Sequence, residues 1–372
     1  MPNGTKLSQK LPWNYPVYLF GVVIFVFGRF PDLISAYYLP YCFKPLSLLL
    51  RTISGRFEVT IGEGLYLLLI ISLIINLIQN LWRNRTQLKI PRFWLFQWVG
   101  LLNGLVKLYI LFQLCWGFNY QKYSPAADFK LNVPKGYTEA QMDSLSLDLI
   151  AQLNQSRALL TDSQLKGLKF EEVAAQTMDQ YDNAELEYSF LQYRRPVIKE
   201  AIFPNWGDYF GYTAFYQPLT GEAIVRGDLP LLTQPFTMSH EIAHQLGYAS
   251  EAEANFIAYV IGVKSKSPLF NYSAALQLFS YAQIAHLNSI AKRGDFTLFE
   301  NTIARNKKLL DPKVIADRKA IRLFFERKQD LQIPGSTAFY DQFLQWNKQA
   351  NGVESYNDVL LWALAYQGKK NP

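Results

Sequence analysis

Hydropathy along the chain changes its period near residue 118. Before it, long apolar runs alternate with short basic stretches; after about residue 137, apolar positions recur at helical spacing among Asn, Gln and charged residues. A polar leader, Met1–Pro12, precedes an apolar run from Trp13 to Phe27. Arg29, Phe30 and Pro31 follow it where a signal peptide would carry small residues, which predicts an uncleaved membrane helix over about 13–30. The segment 33–53 is amphipathic and aromatic, the pattern of a helix lying on a membrane surface. The nearly unbroken Leu and Ile of Leu65–Trp82 predict a second span at about 64–82, and Trp94–Trp116 predicts a third at about 94–116. Lys107 lies within the third span and is expected to reach toward Glu63, while Asn76 and Asn103 are expected to make polar contacts between helices.

In the second part, helices are expected at 137–158, 164–182, 273–292, 312–329, 337–349 and 354–367. Between 187 and 230 the helical period lapses. Tyr212–Tyr216 and Gly221–Val225 read there as short strands or a hairpin. The expected architecture is a membrane domain, 1–118, followed by an α+β, mostly helical domain, 119–372.

Charge refines this division. Residues 1–118 hold eleven Lys/Arg against three Asp/Glu, a surplus of +8, whereas the whole chain carries +7; the remainder is therefore −1. A near-neutral second part argues against nucleic acid as a partner. Arg83, Arg85, Lys89 and Arg92 crowd the loop between the second and third spans, so the positive-inside rule places that loop and the N-terminus in the cytoplasm. Residues after about 120 are then extracytoplasmic. Two cysteines, Cys42 and Cys115, give neither a disulfide framework nor a cysteine-based zinc site.

The candidate chemistry lies in Ser239–Asn255. His240-Glu241-Ile242-Ala243-His244 puts two imidazoles one helical turn apart on one face, where they can grip a single Zn2+ ion. Glu241 beside them is placed as general base for water whose pKa the metal lowers. Thr233 or Gln234 can cap this helix, Pro235 suits its first turn, and Gly247 stops it after about twelve residues. Ser250-x-x-Glu253 has the form of a capping box, so a second helix starts at once. Glu251 and Glu253 point about 200° apart on that helix, so only one of them can face the metal. Glu253 is occupied by the box, Glu251 serves as third ligand, and Asn255 on the same face can hold a ligand histidine. His286 sits alone on an apolar helix and reads as a satisfied or surface histidine. The stretch Thr220-Gly221-Glu222-Ala223 either binds an extended substrate at a strand edge or covers the core beside the site.

Glu251-x-x-Ala254-Asn255 after H-E-x-x-H resembles the signature of gluzincin-type proteases, including membrane-embedded prenyl and heat-shock proteases and the IrrE/ImmA-type peptidases. In those families the first Glu is the third zinc ligand and the residue four later supports a ligand histidine. More of the chain resembles a family of bacterial membrane proteins with a domain of unknown function. Trp116–Tyr120, Thr220–Ala223, His240–Gly247, Glu253–Phe256 and Gly352–Tyr356 carry that likeness. The resemblance implies three transmembrane helices followed by a zincin-like metalloprotease domain, in the bacterial cytoplasmic membrane. The activity it implies is a zinc metallopeptidase acting on peptide or protein substrates of the cell envelope. The competing reading is a non-catalytic zinc sensor or scaffold, which needs the ligands but has no use for Glu241. A purely structural zinc site would favour four closed ligands, usually cysteine.

Overall fold

The computed structural model describes residues 12–329, 331–332 and 355–370. The expected helix at 337–349 lies outside them. The chain forms two units. The first comprises Met1–Leu46 and Ile61–Tyr123; the second comprises Ser47–Thr60 and Ser124–Pro372. The units divide the chain differently from the expected 118/119 boundary: fourteen residues, the end of an apolar helix (47–54) and the turn after it (55–60), group with the second unit. Phe118 and Asn119, in turn, are buried with the first.

Three helices are long and apolar enough to cross a membrane: Pro31–Ser54, Ile61–Arg83 and Pro91–Cys115. The last two agree with expectation, and they turn nearly all their side chains outward. The first does not. The expected span at 13–30 is a helix of only 13 residues, Tyr15–Phe27, opened by the Asn14 side chain and closed at Gly28. At 1.5 Å per residue it covers about 20 Å, short of a hydrocarbon core of about 30 Å. The segment expected to lie on the membrane surface is instead part of a 24-residue helix. Pro40 does not break it, because Ile34–Phe43 widens to a π-helix, whose looser hydrogen-bond ladder accommodates a missing N–H.

Within the first unit, Tyr18 donates to Asn103 Oδ1 at 2.7 Å, joining Tyr15–Phe27 to Pro91–Cys115 as expected of Asn103. Asn76 instead bonds Ser72 on its own helix. The contact between Ile61–Arg83 and Pro91–Cys115 comes from Asn80, which donates to Gln97 at 2.6 Å. Lys107 is exposed, Glu63 is fully buried, and no contact of Lys107 with Glu63 occurs among the described residues. The expected pair is therefore not formed.

The second unit is mostly helical with one small sheet. Its core is the pairing of Glu139–Ala158 with Pro268–Lys292, wrapped around the helix Glu251–Lys264. Every residue from Ala252 to Gly262 is buried, so this helix is apolar all round, as a central helix must be. A Cβ on Gly262 would stand 2.2 Å from that of Ala274, so only glycine permits this approach to the helix Pro268–Lys292. The helix Ser355–Lys370 covers the same core, with Phe256, Trp362 and Tyr366 in edge-to-face contact.

The hairpin expected near 212–225 is present as β2 (Ala214–Gln217) and β3 (Glu222–Val225), turned through Gly221 at φ +73°. A strand not foreseen, β1 (Ile198–Glu200), pairs parallel to β3, with Ile198 opposite Ala223. The order β1-β3-β2 makes β3 central. Also unforeseen is the helix Phe296–Leu309, capped by Asp295.

Candidate metal centre

Two helices and the turn between them build the site. The first, Gln234–Gln245, spans the twelve residues expected, with Pro235 in its first turn. Thr233 is its N-cap residue, but the Thr233 hydroxyl donates to the Pro230 carbonyl rather than capping. At the other end the Tyr248 N–H bonds the Ala243 carbonyl at 3.1 Å and the Gly247 N–H bonds that of His244 at 2.8 Å. This is a Schellman closure, and it requires the left-handed conformation that Gly247 adopts at φ 93°. The reversal lets seven residues carry the chain from His244 back to Glu251.

The second helix, Glu251–Lys264, opens with the predicted capping box. The Glu253 N–H donates to Ser250 Oγ at 3.1 Å, and the Ser250 N–H donates to Glu253 Oε2 at 3.2 Å. Glu253 is thereby turned away, and Glu251 faces the histidines. Its Oε2 lies 3.2 Å from His240 Nε2 and its Oε1 lies 3.9 Å from His244 Nε2. One ligand atom from each of His240, His244 and Glu251 falls within 4.8 Å of the others. Donors about 2.0–2.1 Å from a tetrahedral zinc stand roughly 3.3 Å apart, so the trio would close by up to about 1.5 Å around one ion.

Both ring orientations are fixed from behind. The Nδ1–H of His240 donates to Asn255 Oδ1 at 2.8 Å, and that of His244 donates to the Tyr248 carbonyl at 2.7 Å. Each bond puts the proton on Nδ1 and leaves the Nε2 lone pair for a cation. Asn255 was foreseen in this role; the Tyr248 carbonyl was not, since a main-chain acceptor has no sequence signature. Glu241 is 4 % exposed, and its Oε2 has no hydrogen-bond partner. An orphaned buried carboxyl oxygen thus lies beside two oriented imidazoles, and His240, His244 and Glu251 are donors of the kind that zinc accepts.

The side chains, taken by themselves, are strongly coupled. Burial lowers the pKa of His240, but the hydrogen bond and charge of Glu251, with help from Glu241 and Asn255, override it and lift the ring to about 9. Burial raises Glu241 to about 8; the charge of Glu251 adds to this and that of His240 opposes it. Burial and the charge of His240 take His244 down to about 4. The two histidines differ because Glu251 sits closer to His240 than to His244.

The back of the first ligand helix is held by residues that sequence reasoning missed. Gln245 Nε2 donates to the carbonyls of Val197 and Gly221 at 2.8 and 2.7 Å, and its own carbonyl accepts from Ser47 at 3.0 Å. Tyr193 donates to Gln245 Oε1. The only sequence signal was a glutamine directly after the second histidine.

Thr220-Gly221-Glu222-Ala223 belongs to this backing, not to a substrate edge. Both edges of β3 are paired, so it has no free backbone to offer an extended chain. Glu222 accepts from Thr220 at 2.8 Å and from Lys199 at 2.7 Å. His286 is away from the site, buried with its Nδ1 3.6 Å from Asp143.

Residues 38–364 match the family described as Protein of unknown function (DUF3810), and the chain belongs to that family. Comparison with curated proteins and with solved structures gives no match.

Proposed function

We propose that this member of the family is a membrane-anchored, zinc-dependent peptidase whose second unit works outside the cytoplasm. One observation carries the reading: two imidazoles held with Nε2 forward and a carboxylate between them, next to the buried, unpartnered Oε2 of Glu241. A sensor or scaffold would use His240, His244 and Glu251 but gains nothing from burying a fourth residue, Glu241, whose carboxyl Oε2 is unpartnered, because that burial costs free energy.

Zinc, when bound, supplies Lewis acidity, polarising a peptide carbonyl and making water a better acid. His240, His244 and Glu251 hold it. Glu241 takes the proton of the attacking water on Oε2 and passes it to the leaving amine. Burial suits that task, because a carboxyl lifted toward neutral pH both accepts and donates a proton readily. Asn255 and the Tyr248 carbonyl keep the rings from turning.

The topology rests on charge and on chain packing. The basic loop between Ile61–Arg83 and Pro91–Cys115 is assigned to the cytoplasm. Residues 47–60 and 124–372 fold into one unit and so lie on one side of the membrane. That requires an even number of crossings between them, and the two apolar helices supply it.

The test is the full chain in lipid nanodiscs, assayed for zinc content and for hydrolysis of a mixed peptide library. Wild type should bind one zinc and cleave; Glu241→Gln should bind zinc and lose at least a hundredfold in rate. Undiminished cleavage by Glu241→Gln would refute the assignment of the base, and zinc-loaded wild type without cleavage would favour the sensor.

A further inference from the structure

In the second unit, the segment Ser47–Thr60 is packed the wrong way round for a water-soluble surface. Ser47, Arg51 and Ser54 recur at helical spacing and face inward, all buried. Ser47 bonds the Gln245 carbonyl, and the Arg51 guanidinium lies 5.0 Å over the Tyr193 ring. The carbonyls of Ser54 and Val59 accept from Lys199 Nζ at 2.9 and 2.8 Å. The outward side is mostly apolar: Leu48, Leu49, Ile53, Phe57 and Val59 are between 38 % and 62 % exposed, and the exposed charges, Arg56 and Glu58, lie in the turn after the helix. A surface helix in water buries its apolar stripe and exposes its polar one; this one does the reverse.

A second exposed apolar group follows β1 in the chain. Lys199, which holds Ser54 and Val59, lies on β1 only three residues before Ile202. Ile202, Tyr209 and Phe210 are exposed, and the Phe203 and Trp206 rings stack at 4.7 Å around the short helix Pro204–Phe210. Aliphatic residues with Trp and Tyr beside them are the composition of a membrane–water boundary.

We infer that the second unit has its own bilayer-facing surface, made by the outward side of Ser47–Thr60 and by Ile202–Phe210. The occupant is lipid because of where the segment sits in the chain. Residues 55–60 join two helices that are both long and apolar enough to cross a membrane, so they cannot leave its surface. Ser47 ties this surface to the last residue of the first ligand helix, which sets the candidate metal centre close to the bilayer. The inference does not depend on catalysis.

The experiment uses the full chain with Cys42 and Cys115 replaced by serine, in vesicles of phosphatidylethanolamine and phosphatidylglycerol. Nitroxides are placed at Leu49→Cys, Ile53→Cys, Phe57→Cys and Phe210→Cys. Leu73→Cys, on the exposed side of Ile61–Arg83, is the lipid reference, and Leu186→Cys, highly exposed in the second unit, is the aqueous one. Collisions with oxygen and with a water-soluble nickel chelate are compared. Labels 49, 53, 57 and 210 should favour oxygen, as label 73 does, while label 186 favours nickel. Nickel-dominated collisions at 49 and 53, or at 210, would overturn the shared surface. Spin–spin broadening at these sites would assign it to a second copy instead.

Discussion

Zinc binding should depend on pH in a way set by His240. In the side-chain cluster, its ring holds a proton up to about pH 9, against 6.5 for an ordinary histidine. A metal ligand must give that proton up, so below pH 9 part of the binding free energy is spent on deprotonation. One pKa unit is about 1.4 kcal/mol, so two units below the pKa, at pH 7, the penalty is about 2.7 kcal/mol. Through His240 alone, apparent affinity should therefore rise about a hundredfold between pH 7 and 9 and then level off. Glu241, at about 8, is also protonated at pH 7, and the positive ion adds the release of its proton. Without metal the signs reverse. A raised His240 pKa stabilises the fold fully below about pH 6.5 and loses that contribution as pH climbs through 9. The apo protein should thus melt lower at pH 9 than at 6.5, while the zinc form tightens. Calorimetric titration in buffers of different ionisation enthalpy counts the protons released, which should be between one and two at pH 7 and none well above 9. No release at pH 7, or an affinity flat from 7 to 9, would refute the His240–Glu251 coupling.

Other expectations concern single contacts. Glu251→Ala should cost most of the zinc affinity, while Glu253→Ala should cost about 1 kcal/mol of helix capping and little zinc; a zinc titration with the order reversed would move the ligand to Glu253. Lys199→Met should destabilise the second unit by roughly 3–5 kcal/mol, because Glu222 is left buried without its 2.7 Å partner, and Lys199→Met with Glu222→Met should recover a large part. Denaturant unfolding followed by far-UV dichroism checks both, and equal losses in the single and double variants would contradict the argument. A chain limited to 119–372 should fail to give a cooperative melt, whereas fusing 47–60 through a flexible linker should restore one; cooperative unfolding of the shorter chain would show that the segment is dispensable.

Much of the site could be read from sequence because its geometry is local. Two histidines four apart, a glycine that must be left-handed and a capping box each act within a few residues, and together they aim Glu251 and dismiss Glu253. The same holds for the helices Glu139–Ala158 and Pro312–Gln329, which follow from period and caps. Non-local facts were not readable. Whether β3 is an edge or a central strand depends on β1, three residues long and without a pattern of its own. The substrate-edge reading of Thr220–Ala223 failed for that reason. The helix through Pro40 was obscured likewise, since proline reads as a breaker unless the ladder widens to admit it.

The domain boundary shows most plainly why. Amphipathicity in 44–54 states that one side wants an apolar neighbour and the other a polar one, but it does not say which neighbour is protein. The ordinary choice gives water to Ser47, Arg51 and Ser54. In the fold they meet Gln245, Tyr193 and the loop held by Lys199, all more than a hundred residues away. Nothing in the segment's own pattern distinguishes a carbonyl of Gln245 from water as the partner of a serine hydroxyl. A cut at the last apolar helix would therefore separate Lys199 from two of its three acceptors and strip one side from Gln245, beside His244. If the site is catalytic, the segment 47–60 belongs to the enzyme as much as the histidines do, because it closes the layer that holds their helix in place.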